Sequence, residues 1–154
     1  MRCYVLTVSD SRTADTDTSG PMIAALLSAA GHSVAGRAIA RDDPSEVRAI
    51  VERELASQAV DVIITTGGTG ITSRDSTYEA IDGLLEKRLD GFGELFRMLS
   101  YQEVGAAAMM SRATAGLARR RILIALPGSE NAVRLAIEKL VIPELRHLVQ
   151  QARR

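Results

Sequence analysis

Apolar residues along this chain follow two alternating rhythms. Three short runs, Cys3–Val8, Ala59–Ile64 and Ile122–Leu126, are almost continuously apolar and rich in β-branched side chains. Runs of this kind are the signature of strands buried on both faces, as in parallel sheets. A fourth strand is expected from Ser33 to Ile39. Between the strands, apolar residues recur three and four positions apart: Met22, Ile23, Leu26 and Leu27; Val47, Ile50, Val51 and Leu55; Val133, Ala136, Ile137 and Leu140. That spacing puts one apolar stripe on each of three helices. Further helices are expected from Ser76 to about Leu85, around Leu95–Leu99 after a break at Gly91–Glu94, over the small apolar stretch Val104–Met110, and from Pro143 to Val149. Alternating strands and helices predict an α/β fold, a three-layer α/β/α sandwich around a mostly parallel sheet.

The boundaries carry their own chemistry. Asp43-Pro44-Ser45-Glu46 reads as N-cap, first-turn proline and an acidic N3 residue. Ser19-Gly20-Pro21 opens another helix, and Gly31 is a suitable residue to end it. The chain has 154 residues, consistent with one domain spanning 1–154. Lys+Arg and Asp+Glu are both 19, with a sequence pI near 6.7, which argues against broad nucleic-acid or anionic-membrane binding. No apolar run reaches the roughly 18 residues of a membrane span, and the expected compartment is the cytoplasm. The one cysteine, Cys3, falls in a predicted core strand and reads as an inert thiol. Arg119-Arg120-Arg121 reads as a solvated lead-in to a strand and Arg153-Arg154 as a frayed tail.

Candidate chemistry gathers after the central strand. There Thr65-Thr66-Gly67-Gly68-Thr69-Gly70 packs three threonines and three glycines into six positions, with Asp75 just beyond. Backbone N–H groups and threonine hydroxyls make a neutral cradle for anionic oxygens. A carboxylate at its rim points to a nucleotide phosphate accompanied by a divalent metal. This is not a P-loop, since no Gly-Lys-Ser/Thr follows, and Ser73 stands where a dinucleotide fingerprint needs its third glycine. Ser9-Asp10, Asp42 and Pro127-Gly128-Ser129 also fall at the ends of predicted strands, where open α/β sheets bind ligands. Asp43 is accounted for by capping; Asp42 is not. Asp15 and Asp17 read as solvated loop residues, His32 and His147 have no catalytic partner in the pattern, and Ser111-Arg112 is open between a polar helix end and a ligand contact.

These blocks, in this order, resemble the MoaB/MogA family of molybdenum cofactor biosynthesis proteins. The resemblance rests on Thr7-Val8-Ser9-Asp10, Thr18-Ser19-Gly20, the threonine–glycine loop with Asp75, Gly91-Phe92-Gly93-Glu94, Ser111-Arg112 and Leu126-Pro127-Gly128-Ser129. It covers nearly the whole chain, and the segment from Gly91 to Gly116 is most similar to the MoaB branch. It implies molybdopterin adenylyltransferase activity: the pterin's phosphate attacks the α-phosphorus of MgATP, giving adenylyl-molybdopterin and pyrophosphate. By position, it implies that Asp42 and Asp75 are catalytic and hold Mg²⁺, with Asp43 the alternative to Asp42 because Arg41 replaces a frequent proline. It implies that Ser9, Thr66, Gly67, Gly68, Thr69, Gly70, Ser100, Pro127, Gly128 and Ser129 bind substrate. It also implies a homotrimer or hexamer and transient contact with other enzymes of cofactor biosynthesis. Two other functions stand beside this one, a non-catalytic molybdopterin-binding scaffold and an unrelated nucleotide-binding enzyme. Whether molybdenum or tungsten is finally inserted is not encoded in these motifs.

Overall fold

A computed structural model describes residues 1–154. In chain order it runs β1 (Arg2–Val8), α1 (Ser19–Ala29), β2 (Ser33–Ala40), α2 (Pro44–Ala56), β3 (Val62–Thr66), α3 (Thr77–Asp82) and β4 (Lys87–Arg88). Next come α4 (Asp90–Val104), a 3₁₀ segment (Gly105–Met110), β5 (Thr114–Ala118), β6 (Arg121–Leu126), α5 (Glu130–Ala136), a π-helical turn (Ile137–Val141) and α6 (Ile142–Ala152). The six strands form one sheet in the order β2-β1-β3-β6-β5-β4. β2, β1, β3 and β6 are parallel; β5 and β4 add on antiparallel. The expected α/β sandwich with a mostly parallel sheet is therefore the observed fold.

The apolar runs are continuous because both faces of the inner strands are covered. Along β1, Cys3 and Val5 enter a core shared with Ile23, Phe96, Val133 and Leu145, while Tyr4, Leu6 and Val8 enter a second core with Val47, Val51 and Ile81. Burial also pushes the Cys3 thiol up to about 12, so it stays protonated and inert. No helix is long and apolar enough to cross a membrane.

Several boundaries differ from the pattern-based expectation, each for a local reason. Gly91 and Gly93 lie inside α4 instead of preceding it. A methyl group on Gly93 would stand 2.9 Å from the Ala113 carbonyl, so the glycine admits close packing of the helix on the chain leading into β5. The helix begun after Ser76 ends at Asp82, and Val104–Met110 is largely 3₁₀. β4 and β5 were not expected; β5 is short and small-sided, and β4 has only two residues. Arg119 and Arg120 form the β5–β6 turn with φ of 46° and 61°, the left-handed geometry of a tight hairpin. Pro143 does not break the C-terminal helix. The π-helical turn carries the chain from α5 into α6, with the proline in the first turn.

The C-terminal residues are anchored, not frayed. Asp61, 6% exposed, accepts hydrogen bonds from the Arg2 backbone N–H at 2.8 Å, the Arg2 guanidinium at 2.7 Å and the Arg153 guanidinium at 2.7 Å. Burial pushes its carboxyl pKa up, but these donors outweigh it and hold the group well below the usual carboxylate range. A depressed folded-state pKa stabilises the protein above the unfolded value of about 4, and that contribution is lost as pH falls below it. Asp61→Asn is accordingly expected to cost about 2 kcal/mol at neutral pH. In thermal unfolding across a pH series, the gap between wild type and variant should narrow below about pH 4.

Candidate functional site

The chain enters the sheet at β1, steps sideways to β2, then crosses back to β3 on the other side of β1. Loops leaving β1 and β3 therefore diverge, and the crevice between them is where such sheets bind ligands. The threonine–glycine loop follows β3 directly, and Ser9-Asp10 follow β1. Gly67 extends the β3–β6 pairing by donating its N–H to Leu126 O at 2.9 Å, and Thr66 Oγ1 donates to Pro127 O at 2.8 Å. Ser19 Oγ donates to Gly128 O at 3.0 Å, tying α1 to the same corner. The result is an open cleft of about 470 Å³ walled by Gly67–Gly70, Asp75, Met110, Ser111 and Pro127-Gly128.

The first two loop glycines are sterically obligatory. Gly67 has φ +102°, and a Cβ there would sit 2.1 Å from the Val8 carbonyl oxygen. Gly68 has φ +70°, and its Cβ would meet Thr77 Oγ1 at 2.0 Å and Asp42 Oδ2 at 3.0 Å. Gly70 has ordinary φ, but a Cβ would lie 2.8 Å from Asp75 Oδ2. Missing side chains thus let two carboxylates approach the loop backbone.

Each carboxylate is held at one oxygen. Asp42 Oδ1 accepts from Ser76 N–H at 3.2 Å and Ser76 Oγ at 2.7 Å, while Oδ2 faces Gly68. The Asp42 backbone N–H donates to Asp10 Oδ1 at 3.0 Å, and Arg74 bridges Asp10 Oδ2 at 2.9 Å and the Asp42 carbonyl at 3.3 Å. Asp75 Oδ2 accepts from Thr72 N–H at 2.9 Å and Thr72 Oγ1 at 2.7 Å. Burial tends to raise the Asp75 pKa, but the Thr72 donors, the Gly70 N–H and nearby Arg112 lower it further, so it is ionised at neutral pH. Asp43 is turned away: its carboxylate caps α2 by accepting from Glu46 N–H at 3.0 Å.

The remaining predicted residues do not all meet at the cleft. Pro127 and Gly128 line the cleft; Ser129 caps α5 by accepting from Ala132 N–H at 3.3 Å. Ser9 and Thr66 line a smaller polar pocket of about 100 Å³ that shares Val8 and Gly128 with the cleft. Ser9 Oγ is already engaged by the Ser11 and Arg12 N–H groups at 3.2 and 3.1 Å. Ser100 is buried on α4 and lines neither cavity. Asp17, expected to be solvated, instead takes a hydrogen bond from Thr7 Oγ1 at 2.8 Å and from Gly20 N–H at 3.1 Å. His32 Nδ1 lies 3.2 Å from the N-terminal amine and His147 Nδ1 3.0 Å from Glu144, so neither histidine serves the cleft.

Sequence reasoning left Arg112 open and did not place Ser76, Arg74 or Thr77 at the site. Arg112 packs over Tyr78 at 5.0 Å, pairs with Glu79, and donates to the carbonyls of Thr69 at 3.3 Å and Gly70 at 2.9 Å. The hydroxyls of Thr77 and Ser111 are buried without a hydrogen-bond partner, one beneath Gly68 and one in the cleft wall. No group of three or more His, Cys, Asp or Glu side chains is close enough to hold a metal alone. The free oxygens on Asp42 and Asp75 nonetheless suit a hard cation that arrives with phosphates, because Mg²⁺ typically takes one or two carboxylates plus substrate oxygens.

The steric argument separates the glycines. Gly67→Ala is expected to destabilise the protein by about 2 kcal/mol or more, because backbone meets backbone at positive φ. Gly70→Ala should stay within about 1 kcal/mol of wild type, displacing only the Asp75 side chain. Denaturant unfolding of the two variants checks this order.

Residues 4–147 match the family model described as "Probable molybdopterin binding domain". The chain is 46% identical over 155 residues to molybdenum cofactor biosynthesis protein B of Bacillus cereus, covering 100% of this chain and 92% of that protein. A crystal structure of molybdenum cofactor biosynthesis protein B superposes with a TM-score of 0.95 at 47% identity, covering 98% of this chain and 94% of the other. The tungsten cofactor synthesizing protein MoaB from Pyrococcus furiosus superposes with a TM-score of 0.88 at 42% identity, covering 99% and 97%. With the loop, its two carboxylates and these matches along its full length, the chain belongs to the MoaB/MogA family of molybdenum cofactor biosynthesis proteins.

Proposed function

We propose that this protein adenylylates molybdopterin, using MgATP and releasing pyrophosphate. The observation that carries the reading is the pairing of the Gly67–Gly70 backbone with Asp42 and Asp75, each fixed at one oxygen and free at the other. A terminal phosphate oxygen of the pterin attacks the α-phosphorus of ATP; the new P–O bond forms as the bond to the β-phosphate bridge breaks, and pyrophosphate leaves with its electrons. The nucleophile is already an anion, so no side chain needs to accept a proton. That agrees with a cleft holding no Ser–His or Cys–His pair. Phosphoryl-type transfer draws mainly on positioning and charge stabilisation. The Gly68 and Thr69 N–H groups, which make no hydrogen bond within the chain, offer donors for phosphate oxygens. Mg²⁺ bound by the free oxygens of Asp42 and Asp75 would neutralise charge on the nucleotide phosphates.

The same reading includes self-association. Leu95, Met98, Tyr101 and Val104 are 48–63% exposed and recur every three residues along α4, and the exposed Met109 and Met110 follow. An apolar stripe of this size on a chain of zero net charge is a surface for a second copy. It serves the expected trimer or hexamer.

In a coupled assay for pyrophosphate with molybdopterin and MgATP, Asp75→Asn should lower turnover about a hundredfold. Its melting temperature should hold, because Asn can still accept both Thr72 bonds. Wild-type-like turnover in that variant would remove Asp75 from the mechanism, and pterin binding without pyrophosphate in the wild type would favour the scaffold reading. Separately, Met98→Glu should shift the sedimentation coefficient towards monomer.

A further inference from the structure

We propose that Arg112 is a positioning residue that sets the peptide planes of the threonine–glycine loop and, through them, Asp75, without itself binding phosphate. The inference rests on the anion-binding reading of the loop given above. Arg112 lies about forty residues beyond that loop in the chain, yet its backbone N–H and three of its side-chain hydrogen bonds are spent on the loop and on Asp75. Its backbone N–H donates to Thr69 O at 3.1 Å, its Nε to Thr69 O at 3.3 Å and Gly70 O at 2.9 Å, and its Nη2 to Asp75 O at 3.4 Å. The opposite edge of the guanidinium pairs with the Glu79 carboxylate, and its face lies over Tyr78. A planar fork anchored on three sides has little left for a ligand.

The consequence follows from peptide geometry. In a trans peptide the C=O and the next N–H point in opposite directions. Holding the Thr69 carbonyl towards Arg112 therefore turns the Gly70 N–H the other way, and because a Cβ on Gly70 would stand only 2.8 Å from Asp75 Oδ2, the plane of this peptide governs where that carboxylate sits. Holding the Gly70 carbonyl turns the Ile71 N–H likewise. Glu79 in turn neutralises the guanidinium and fixes its angle, so the cation acts as a structural clamp beside an acidic site.

Glu79 separates this role from direct phosphate binding, because the two predict opposite signs. Calorimetric titration of MgATP into the full-length protein supplies the readout. A clamp predicts that Glu79→Gln, which loosens the guanidinium, weakens binding about threefold. A direct phosphate ligand predicts tighter binding, since a competing carboxylate has been removed. A clamp also predicts that Arg112→Lys, which keeps the charge but loses the fork, binds about tenfold more weakly and no better than Arg112→Met. Tighter binding in Glu79→Gln, or near wild-type binding in Arg112→Lys, overturns the proposal. If the wild type binds no MgATP, the anion reading of the loop fails on its own account. The clamp is then judged in the free protein by the carbonyl-carbon NMR shifts of Thr69 and Gly70, which must move in Arg112→Lys; unmoved shifts overturn it.

Discussion

At Gly67 the backbone leaving one central strand presses against the carbonyl of its neighbour, with no volume for even a methyl group between Gly67 and Val8. This close approach sets the geometry of everything around it. It lets the β3–β6 pairing continue one residue beyond the strand, swings Gly68 against Thr77 and Asp42, and opens the chain towards Asp75. Three connections from three different strands thereby share one small volume at the topological switch of the sheet. Both cores contribute from below, because β1 and β3 are packed on each face and cannot tilt away from one another.

The electrostatics of the site follow a consistent plan. The cradle itself is built from neutral N–H groups and hydroxyls, while negative charge is confined to carboxylates at its edge. Arginines stand outside: Arg74 beside Asp10 and Arg112 beside Glu79, each neutralising acid without entering the cleft. An anionic ligand therefore meets donors first and meets carboxylates only where a cation can lie between. This division suits a reaction in which the protein holds phosphates and stabilises charge without supplying a nucleophile.

Much of this was legible in the order of residues. The continuous apolar runs that became β1, β3 and β6 could be read because two-sided burial leaves no polar alternation. The capping residues of α2 could be read because Asp43, Pro44 and Glu46 act within one turn. The loop glycines and Asp75 stood out as a dense local signal. What could not be read depended on distant approach. Gly93 resembles a helix breaker until Ala113 is seen against it, and Arg119-Arg120, solvated and leading into a strand as expected, gives no hint of the hairpin turn that pairs β5 with β6. Arg153 looks like a loose terminus until Asp61 is found beneath it, and Arg112 stays open between helix end and ligand contact until the fold carries it onto Thr69 and Gly70. Local chemistry marked a candidate place for a ligand; long-range contacts show what keeps that place in shape.

The central claim is that the Gly67–Gly70 backbone and the two half-free carboxylates together hold a nucleotide's phosphates and their cation. The most direct measurement is a crystal structure of the protein with Mg²⁺ and an ATP analogue whose α–β bridge is a methylene group. The account predicts phosphate oxygens on the loop N–H groups and a cation in contact with Asp42 or Asp75. A nucleotide bound elsewhere, with the loop making no phosphate contact, would contradict it.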